Sequence, residues 1–341
     1  MKNILLLMIL SSFLQVCGQP INPKKTFTIM SYNVENLFDT IDNPEKSDEE
    51  YLPSSKLQWN TEKYFAKINK IAKVIKSIHS EELPEIISLI EIENKAVLED
   101  LISKTELKNS CYKIVHYDSP DPRGVDVGLL YRSDEFKVIK SFPIKISFNG
   151  DTAYKTRDIL YVKGLMGKSD TLHIFVNHWK SRNSKDEETE LKRIFEASVL
   201  RQKVDSIQNS CKNAKIVITG DFNDEPTNKS LSETLKAGNT TDAPSFNMLY
   251  NMMYDKKLKA EGTYFYRSEW SMLDNIIVSY PLINAAKGTY KTNYNSSVIF
   301  KQDWMLYTDK NGNKVPNRTF AGEKYTGGIS DHLPIYIELI K

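Results

Sequence analysis

Six short segments place carboxylate, amide and imidazole side chains at the ends of predicted strands or directly before them. They are residues 31–36 (Ser-Tyr-Asn-Val-Glu-Asn), 88–91 (Ser-Leu-Ile-Glu), 176–181 (Val-Asn-His-Trp-Lys-Ser), 220–223 (Gly-Asp-Phe-Asn), 273–275 (Leu-Asp-Asn) and 328–334 (Gly-Ile-Ser-Asp-His-Leu-Pro). Taken singly, each has an ordinary structural explanation, since an Asp-x-Asn sequence is most often a turn. Taken together, they gather several carboxylates, which repel one another unless a cation lies between them. The set therefore indicates a cation-binding site with two histidines beside it.

The elements that must position these segments are predicted from hydrophobic periodicity. Apolar residues recur at helical spacing in residues 61–79, and residues 186–209 form a second, polar-faced helix. Strands are predicted at 27–34, 86–90, 113–117, 127–132, 136–146, 158–164, 171–178, 215–220, 262–267, 275–279 and 334–340. Several strands are apolar throughout, which indicates that both of their faces are buried. We therefore expect two packed sheets with helices outside them, an α/β sandwich.

The composition is that of a soluble globular protein, with 341 residues of which 40% are hydrophobic and 26% are charged. No linker, repeat or low-complexity tract divides the chain, so we expect one large domain over residues 19–341. The net charge of +2 excludes a protein that coats nucleic acid through a general positive field. A nucleic-acid substrate would have to be held by a local basic rim.

The N-terminus has the features of a signal peptide over residues 1–18. Lys2 gives a positive start, the apolar run 4–10 is too short to span a bilayer, and Cys17-Gly18 offers a small-residue cleavage site. We therefore expect a protein that is secreted, or that lies in the periplasm or at the outer surface. One alternative is a lipoprotein anchored through Cys17. No other segment of the sequence has the length and hydrophobicity of a transmembrane segment.

The six segments, in this order, resemble those of the endonuclease/exonuclease/phosphatase superfamily, which includes deoxyribonuclease I. The resemblance runs from about residue 27 to the C-terminus, and 220–223 and 330–332 are its most specific parts. Residues 177–181 are also similar to a segment of extracellular bacterial nucleases. The resemblance implies a single-domain, four-layer α/β sandwich, with two packed mixed β-sheets flanked by helices. It also implies hydrolysis of phosphoester bonds with a divalent cation.

The resemblance implies a set of metal ligands. Glu91 is expected to be the main carboxylate ligand, Asn33 to supply an amide oxygen, and Asp331 to lie close to the same ion. Glu35 matches a position that is acidic in some relatives and is a lesser candidate. Hard oxygen ligands suit Mg²⁺, with Mn²⁺ or Ca²⁺ as alternatives, and such an ion neutralises the charge of the phosphate.

The resemblance also implies catalytic roles. His332 is expected to be the general base, and Asp274 to bind its other ring nitrogen and hold the productive tautomer. Asp221 is expected either to orient the attacking water or to protonate the leaving group. Asn223 is expected to donate its amide to a phosphate oxygen, and His178 to hydrogen-bond the scissile phosphate.

Four further residues are candidates for supporting or binding the substrate. Asn177 is expected to support His178. Arg157 is a candidate for contact with the phosphate, with a surface ion pair as the alternative. Lys180 and Arg182 follow His178 directly and are candidates for contacts with flanking phosphates.

Other aromatic and imidazole side chains have less specific surroundings. Tyr264, Tyr266 and Trp270 are candidates for stacking on bases, with core packing as the alternative. The three remaining histidines lie outside the motifs, and we expect structural or surface roles for them. They are His79, His116 and His173.

The site chemistry alone does not select the substrate. We expect an endonuclease that hydrolyses DNA, because basic residues follow His178 and the leader directs the protein outwards. The alternatives are a phosphodiesterase or phosphatase acting on lipid head groups or small phosphoesters, and a catalytically inactive binding module. The intact set of site residues argues against the last of these.

Several structural questions stay open at this point. Cys111 and Cys211 remain once the leader is removed, and they either form a disulfide or are two separate thiols. Residues 280–327 have no predictable structure. We expect a monomer.

Overall fold

Two mixed β-sheets pack face to face across a hydrophobic core in the computed structural model of the protein. The structure describes residues 26–148, 151, 154–167, 170–183, 186–239, 247–294 and 296–341. The predicted leader and the candidate lipid anchor at Cys17 therefore lie outside the described residues. Among the described residues, no helix has the length and hydrophobicity that crossing a bilayer requires.

The first sheet has six strands in the order β14-β19-β1-β2-β4-β3. Their bounds are β1 (Thr26–Leu37), β2 (Ile86–Ile92), β3 (Tyr112–His116), β4 (Asp126–Arg132), β14 (Val298–Ile299) and β19 (Ile335–Ile340). β1 and β2 run parallel to each other, whereas β19 pairs with β1 in the antiparallel sense.

The second sheet has seven strands in the order β5-β6-β7-β8-β13-β10-β9. Their bounds are β5 (Phe136–Ile144), β6 (Ile159–Met166), β7 (Asp170–His178), β8 (Lys215–Asp221), β9 (Ala237–Gly238), β10 (Leu249–Asn251) and β13 (Asp274–Ser279). β7 and β8 run parallel, and β13 pairs with β8 in the antiparallel sense.

Helices and small hairpins complete the fold. The helices are α1 (Thr61–Ser77), α2 (Lys95–Ser103), α3 (Asp186–Ser210), α4 (Tyr254–Leu258) and α5 (Tyr280–Ile283). The hairpins are β11 (Tyr264–Tyr266) with β12 (Glu269–Ser271), β15 (Leu306–Thr308) with β16 (Lys314–Pro316), and β17 (Phe320–Ala321) with β18 (Lys324–Tyr325). Residues 280–327, which the sequence left without a prediction, thus contain α5, β14 and two of the hairpins.

Each sheet buries apolar side chains on both of its faces. In β1, Ile29 points into the core between the sheets, whereas Met30 and Tyr32 point to the outer face. α1 and α2 cover that face through a stripe of apolar residues that includes Ile68 and Ile75. α3 covers the outer face of the second sheet in the same way. The layers are therefore helix, sheet, sheet, helix, which confirms the predicted four-layer sandwich.

The structure shows whether Cys111 and Cys211 pair with each other. This residue follows α3 directly and is exposed, and its thiol is free. Cys111 and Cys211 therefore do not form a disulfide with each other.

A close approach of two strands requires glycine at position 220. Gly220 has a φ of +140°, and a Cβ atom built there would lie 2.0 Å from the carbonyl oxygen of Asn177. We therefore expect Gly220→Ala to lower the free energy of unfolding by about 3 kcal/mol, measured by urea denaturation. The matched control is Gly238→Ala, where a Cβ atom would meet nothing within 4 Å. Equal urea midpoints for the two variants would show that a Cβ atom at position 220 is tolerated beside the Asn177 backbone.

Candidate functional site

The site residues converge at one edge of the two sheets. Because β1 runs parallel to β2 and β7 runs parallel to β8, the C-terminal ends of each pair lie on one side of its sheet. The hydrogen bond from Asn33 Nδ2 in β1 to Asp221 Oδ2 in β8 places the two pairs on the same side. β13 and β19 run antiparallel to their neighbours and begin at that edge. The topology thus brings together side chains that are up to about 300 residues apart in the sequence.

A cleft with a volume of about 660 Å³ opens at this edge. The short hairpin β11–β12 forms one of its walls through Tyr264, Tyr266 and Arg267. Six of the residues predicted from the sequence line the same cleft. They are Glu91, Arg182, Asp221, Asn223, Asp331 and His332.

The amide of Asn33 joins two carboxylates at the floor of the cleft. Its Nδ2 donates to Glu91 Oε1 at 3.1 Å and to Asp221 Oδ2 at 3.0 Å, while its Oδ1 accepts from the Glu35 backbone N–H at 2.9 Å. Glu91 also accepts from the Asn36 backbone N–H at 2.8 Å. Asn33 therefore lies beside the main predicted metal carboxylate, with its amide oxygen turned towards the backbone.

Glu91, His178 and Asp221 form a group that fits a metal ion. Each offers one ligand atom, and these atoms lie within 4.8 Å of one another. His178 Nε2 is 3.7 Å from Glu91 Oε1 and 3.9 Å from Asp221 Oδ2. Burial, Asp274 and Glu91 raise the pKa of Asp221 to about 7, although His332 opposes them. A cation beside Glu91 would relieve this crowding of negative charge, so the residues present suit a divalent ion.

His332 and Asp274 form the predicted pair. His332 Nδ1 lies 2.7 Å from Asp274 Oδ2, and both side chains are buried. Thr263 Oγ1 donates to the same carboxylate oxygen at 2.6 Å. The other ring nitrogen, His332 Nε2, lies 3.8 Å from Asp221 Oδ2 at the cleft. Asp274 thus fixes the ring so that Nε2 can exchange a proton with a group in the cleft.

The two histidines of the site have opposite electrostatic surroundings. Burial lowers the pKa of His332, but the carboxylates of Asp274 and Asp221 outweigh burial and raise the pKa well above its ordinary value. Burial lowers the pKa of His178 as well, and there the charges of Arg157 and Arg123 act in the same direction. His178 is therefore a neutral hydrogen-bonding group, and His332 is the stronger base of the two imidazoles, which suits a proton acceptor.

Asp331 and Glu35 share an arginine that the sequence did not single out. Arg318 NH2 lies 2.5 Å from Asp331 Oδ2, and its Nε lies 3.6 Å from Glu35 Oε1. Glu35 also accepts from the Thr319 backbone N–H at 2.6 Å, and burial followed by Asp331 raises the pKa of Glu35 to about 7. Asp331 thus lines the cleft, whereas Glu35 faces the segment around Arg318 and stands outside the group formed by Glu91, His178 and Asp221.

Arg157 and Asn177 are buried and bonded to the protein itself. Arg157 donates to the carbonyl oxygens of His178 and Trp179, and its NH1 lies 3.1 Å from Asp121 Oδ2. Asn177 Oδ1 accepts from the indole N–H of Trp179 at 3.2 Å. Both residues therefore hold the segment that carries His178. The role of Arg157 in phosphate contact stays a prediction.

Arg182, Asn223 and Lys180 lie on the side of the cleft next to His178. Arg182 Nε donates to the Asn223 carbonyl oxygen at 2.8 Å, and the Asn223 amide donates to the Trp179 carbonyl oxygen at 3.0 Å. Lys180 is half-buried, and burial followed by the nearby charge of Arg157 lowers its pKa. The Arg182 side chain reaches the solvent at this side of the cleft, and its NH2 pairs with Asp224 Oδ1 at 3.1 Å.

Sequence reasoning missed two residues that contact the predicted set. Thr263 and Arg318 contact Asp274 and Asp331, yet neither lies in a recognisable motif. Thr263 belongs to a predicted strand whose contacts were unknown, and Arg318 lies in the region without a prediction. Thr263 lies two residues before Phe265 of the hairpin, and no sequence pattern identifies it as a partner of Asp274.

The position of Thr263 leads to a test of the Asp274 pair. Thr263→Val keeps the shape of the side chain but removes one of the donors to the Asp274 carboxylate, so we expect kcat to fall about 10-fold with little change in KM. Steady-state kinetics over a range of pH measures this. Thr263→Ser, which keeps the hydroxyl, should restore most of the activity. Wild-type kcat in Thr263→Val would show that the hydroxyl does not position Asp274.

The fold is shared with several solved structures. Zebrafish (D. rerio) TDP2 complexed with a single-strand DNA product is 16% identical, with 93% of this chain and 100% of that chain covered and a TM-score of 0.54. A mannosyl-6-phosphatase from Bacteroides thetaiotaomicron is 17% identical, with 92% and 100% covered and a TM-score of 0.56. The human nocturnin catalytic domain with bound sulfate is 16% identical, with 94% and 96% covered and a TM-score of 0.54. Identities this low support a common fold only.

The family itself is shown by the sequence. No curated protein gives a significant match. A family model described as the endonuclease/exonuclease/phosphatase family, however, matches residues 28–341, which is nearly the whole described chain. Members of this superfamily hydrolyse phosphoester bonds. The predicted resemblance is therefore confirmed, and the chain belongs to the endonuclease/exonuclease/phosphatase family.

Proposed function

We propose that this protein is a secreted, divalent-metal-dependent phosphodiesterase that cleaves DNA as an endonuclease. Secretion depends on the predicted signal peptide over residues 1–18, with lipid anchoring at Cys17 as the alternative and a monomer as the expected state. The proposal for the substrate depends on the walls of the cleft, because the chemistry of the site is common to the whole family.

The observation that carries the proposal is an aromatic and basic wall beside His332. The Tyr264 ring lies 4.8 Å from the His332 ring, and the Tyr266 ring stacks on Tyr264 with 6.3 Å between their centroids. Tyr266 is 54% exposed, and the Arg267 guanidinium lies 5.2 Å from its ring. Exposed aromatic faces accept nucleobases and arginines contact phosphates. A polynucleotide uses both kinds of group, whereas a simple sugar phosphate has no base to stack.

Basic side chains also lie on the side of the cleft next to His178, across from the hairpin β11–β12. They favour a substrate with more than one phosphate group. Arg182 lines the cleft next to the segment that carries His178, and Arg123 is exposed close enough to His178 to lower its pKa. Basic side chains on both sides of the scissile position suit a strand that passes through the cleft.

The side chains suggest how the hydrolysis proceeds. Neutral His178 donates a hydrogen bond to the scissile phosphate. A water molecule held between His332 Nε2 and Asp221 attacks the phosphorus atom, and the bond from phosphorus to the leaving oxygen breaks. His332 accepts the proton of the water while Asp274 stabilises the resulting imidazolium, and the leaving oxygen takes up a proton from the solvent. A divalent ion held by Glu91, with Asn33 and Asp331 beside it, would neutralise the charge of the phosphate.

The second candidate is a small phosphomonoesterase or lipid phosphodiesterase. The likeness in fold to the mannosyl-6-phosphatase keeps a sugar phosphate in consideration, since the cleft is large enough for one. The aromatic wall is then expected to stack on a sugar ring rather than on a base.

A substrate panel separates these candidates. The purified mature protein with Mg²⁺ would be given linear double-stranded DNA, sphingomyelin vesicles and mannose 6-phosphate, and kcat/KM compared for each. We expect DNA to be preferred by at least about 100-fold, and Tyr266→Ala with Arg267→Ala to lower kcat/KM for DNA mainly through KM. A preference for either of the other substrates would overturn the assignment to DNA and leave the phosphoesterase chemistry intact.

A further inference from the structure

A second group of metal-ligating side chains lies away from the cleft, between β3 and β4. His116 is the last residue of β3, Asp126 is the first residue of β4, and Asp118 lies in the loop between them. His116 Nε2 is 3.3 Å from Asp126 Oδ2, and His116 Nδ1 is 3.9 Å from Asp118 Oδ1. One ligand atom from each residue falls within 4.8 Å of the others. The spacing suits a single metal ion.

Buried polar atoms without partners surround Asp126. The His116 side chain is 3% exposed, and its Nε2 faces the Asp126 carboxylate without the geometry of a hydrogen bond. The Ser119 hydroxyl is also buried and unpartnered within the described part of the chain, although the Ser119 backbone N–H donates to Asp126 Oδ1 at 2.9 Å. An unsatisfied buried polar atom destabilises the fold, so an arrangement of this kind favours a bound group.

Asp158 is a further buried carboxylate whose pKa is affected by the charge of Asp126. Asp158 is buried directly before β6, and its Oδ1 finds no partner among the described residues. Burial raises the pKa of Asp158, and the nearby Asp126 carboxylate raises it further, while Lys145 opposes the shift. The neighbouring Arg157 pairs with Asp121 instead.

We propose that His116, Asp118 and Asp126 bind a divalent ion of the Zn²⁺ class, with the Ser119 hydroxyl beside it. One imidazole nitrogen with carboxylate oxygens is a ligand set that Zn²⁺ accepts, whereas Mg²⁺ prefers oxygen ligands alone. Two of the ligands are buried on adjacent strands and are held in place before the ion arrives.

The ion would join the two ends of the loop 117–125. This loop carries Asp121, which accepts from Arg157, and Arg157 in turn holds the carbonyl oxygens of His178 and Trp179. Lys46 Nζ also donates to two carbonyl oxygens of the loop, at Ser119 and Asp121. The proposed site is therefore structural, and it stabilises a loop that supports one side of the cleft.

Zn²⁺ binding to the chelator-stripped full chain tests the proposal. Bound Zn²⁺ would be counted by equilibrium dialysis for the wild type, His116→Asn, His79→Asn and Glu91→Gln. His79 is the matched control, because its Nε2 lies 3.5 Å from a carboxylate oxygen of Glu338, far from this group. We expect the wild type and His79→Asn to bind one Zn²⁺ at this group in addition to any ion held in the cleft, and Glu91→Gln to keep the ion at this group. His116→Asn should bind that ion at least about 10-fold more weakly.

Two results would overturn the proposal. The first is equal Zn²⁺ affinity in His116→Asn and His79→Asn, and the second is loss of all tight Zn²⁺ binding in Glu91→Gln, which would place the tight ion in the cleft. Should His116→Asn not fold, Asp118→Asn decides, since that side chain is 83% exposed and carries no packing role. Asp118→Asn should weaken Zn²⁺ binding and abolish the rise in unfolding temperature that Zn²⁺ gives the wild type, and unchanged values would refute the site.

Discussion

Replacing Asp274 with asparagine should lower kcat about 10³-fold while leaving the fold intact. Asp274 Oδ2 lies 2.7 Å from His332 Nδ1, and its charge is the strongest of those that raise the pKa of His332. Asparagine has nearly the same shape but no charge, so the imidazolium that forms when His332 accepts a proton from water loses its stabilising partner. The loss therefore falls on the transition state rather than on binding of the substrate.

The pH profile distinguishes this role from a structural one. Because Asp274 raises the pKa of His332, its removal lowers that pKa, and the acidic limb of kcat/KM should move to lower pH. Circular dichroism and the urea midpoint serve as controls for folding. Unchanged turnover in Asp274→Asn, or a reduced turnover with the acidic limb in its original position, would contradict the assigned pair.

Replacing Glu91 with glutamine should abolish most of the activity by weakening metal binding at least about 100-fold. Glutamine has nearly the same shape and keeps one of the two oxygens, so it can still accept from either the Asn33 amide or the Asn36 backbone N–H. It lacks the negative charge that would hold a divalent ion. Activity should therefore recover in part as the Mg²⁺ concentration is raised, which a titration of rate against Mg²⁺ measures.

Glu93 provides a matched control two residues further along the chain. Burial, followed by the charges of Asp39 and Asp48, raises the pKa of Glu93 to about 8, so this carboxyl is mostly neutral at pH 7. Its Oε2 accepts from the Asp39 backbone N–H at 2.6 Å, outside the group around Glu91. Glu93→Gln should leave the Mg²⁺ titration unchanged. An identical titration for Glu91→Gln and the wild type would show that Glu91 does not hold the ion.

The layered fold was predictable from the sequence because its central strands are nearly continuous runs of apolar residues. β2 is Ile-Ile-Ser-Leu-Ile-Glu-Ile and β8 is Lys-Ile-Val-Ile-Thr-Gly-Asp, and each is buried on both faces, as predicted. The short elements were beyond prediction, because strands of two or three residues such as β9 and β17 carry no periodicity. Their positions depend on pairing with distant segments, which no local pattern records.

The sequence predicted which residues gather at the candidate site, but it did not predict how their side chains contact one another. The segments 220–223 and 330–332 identify the cleft from sequence, since their residue types match the chemistry of the family. The hydrogen-bond and ion-pair partners of the site residues could not be predicted from the sequence. Asn33 turns its amide nitrogen to Glu91 and Asp221, and Arg318 pairs with Asp331 from a region without a prediction. Contacts of this kind arise from the packing of loops, which sequence spacing does not encode.

Buried polar residues were the hardest to assign. Arg157 and Asn177 have the residue types of substrate-binding groups, yet their side chains bond to neighbouring backbone and to the indole of Trp179. His116 has no motif around it and was expected to be structural or at the surface. Its burial beside Asp126 is visible only once β3 and β4 pair.

Nicking of supercoiled plasmid tests the central claim most directly. The purified mature protein would be assayed with Mg²⁺, with EDTA in place of Mg²⁺, and as the variants His332→Ala and His79→Ala. We expect the wild type and His79→Ala to convert the plasmid to its open-circular form, and both EDTA and His332→Ala to abolish this conversion. An intact plasmid after incubation with folded, Mg²⁺-loaded wild-type protein would contradict the assignment of DNA as the substrate, and nicking that survives in His332→Ala would contradict the assigned site.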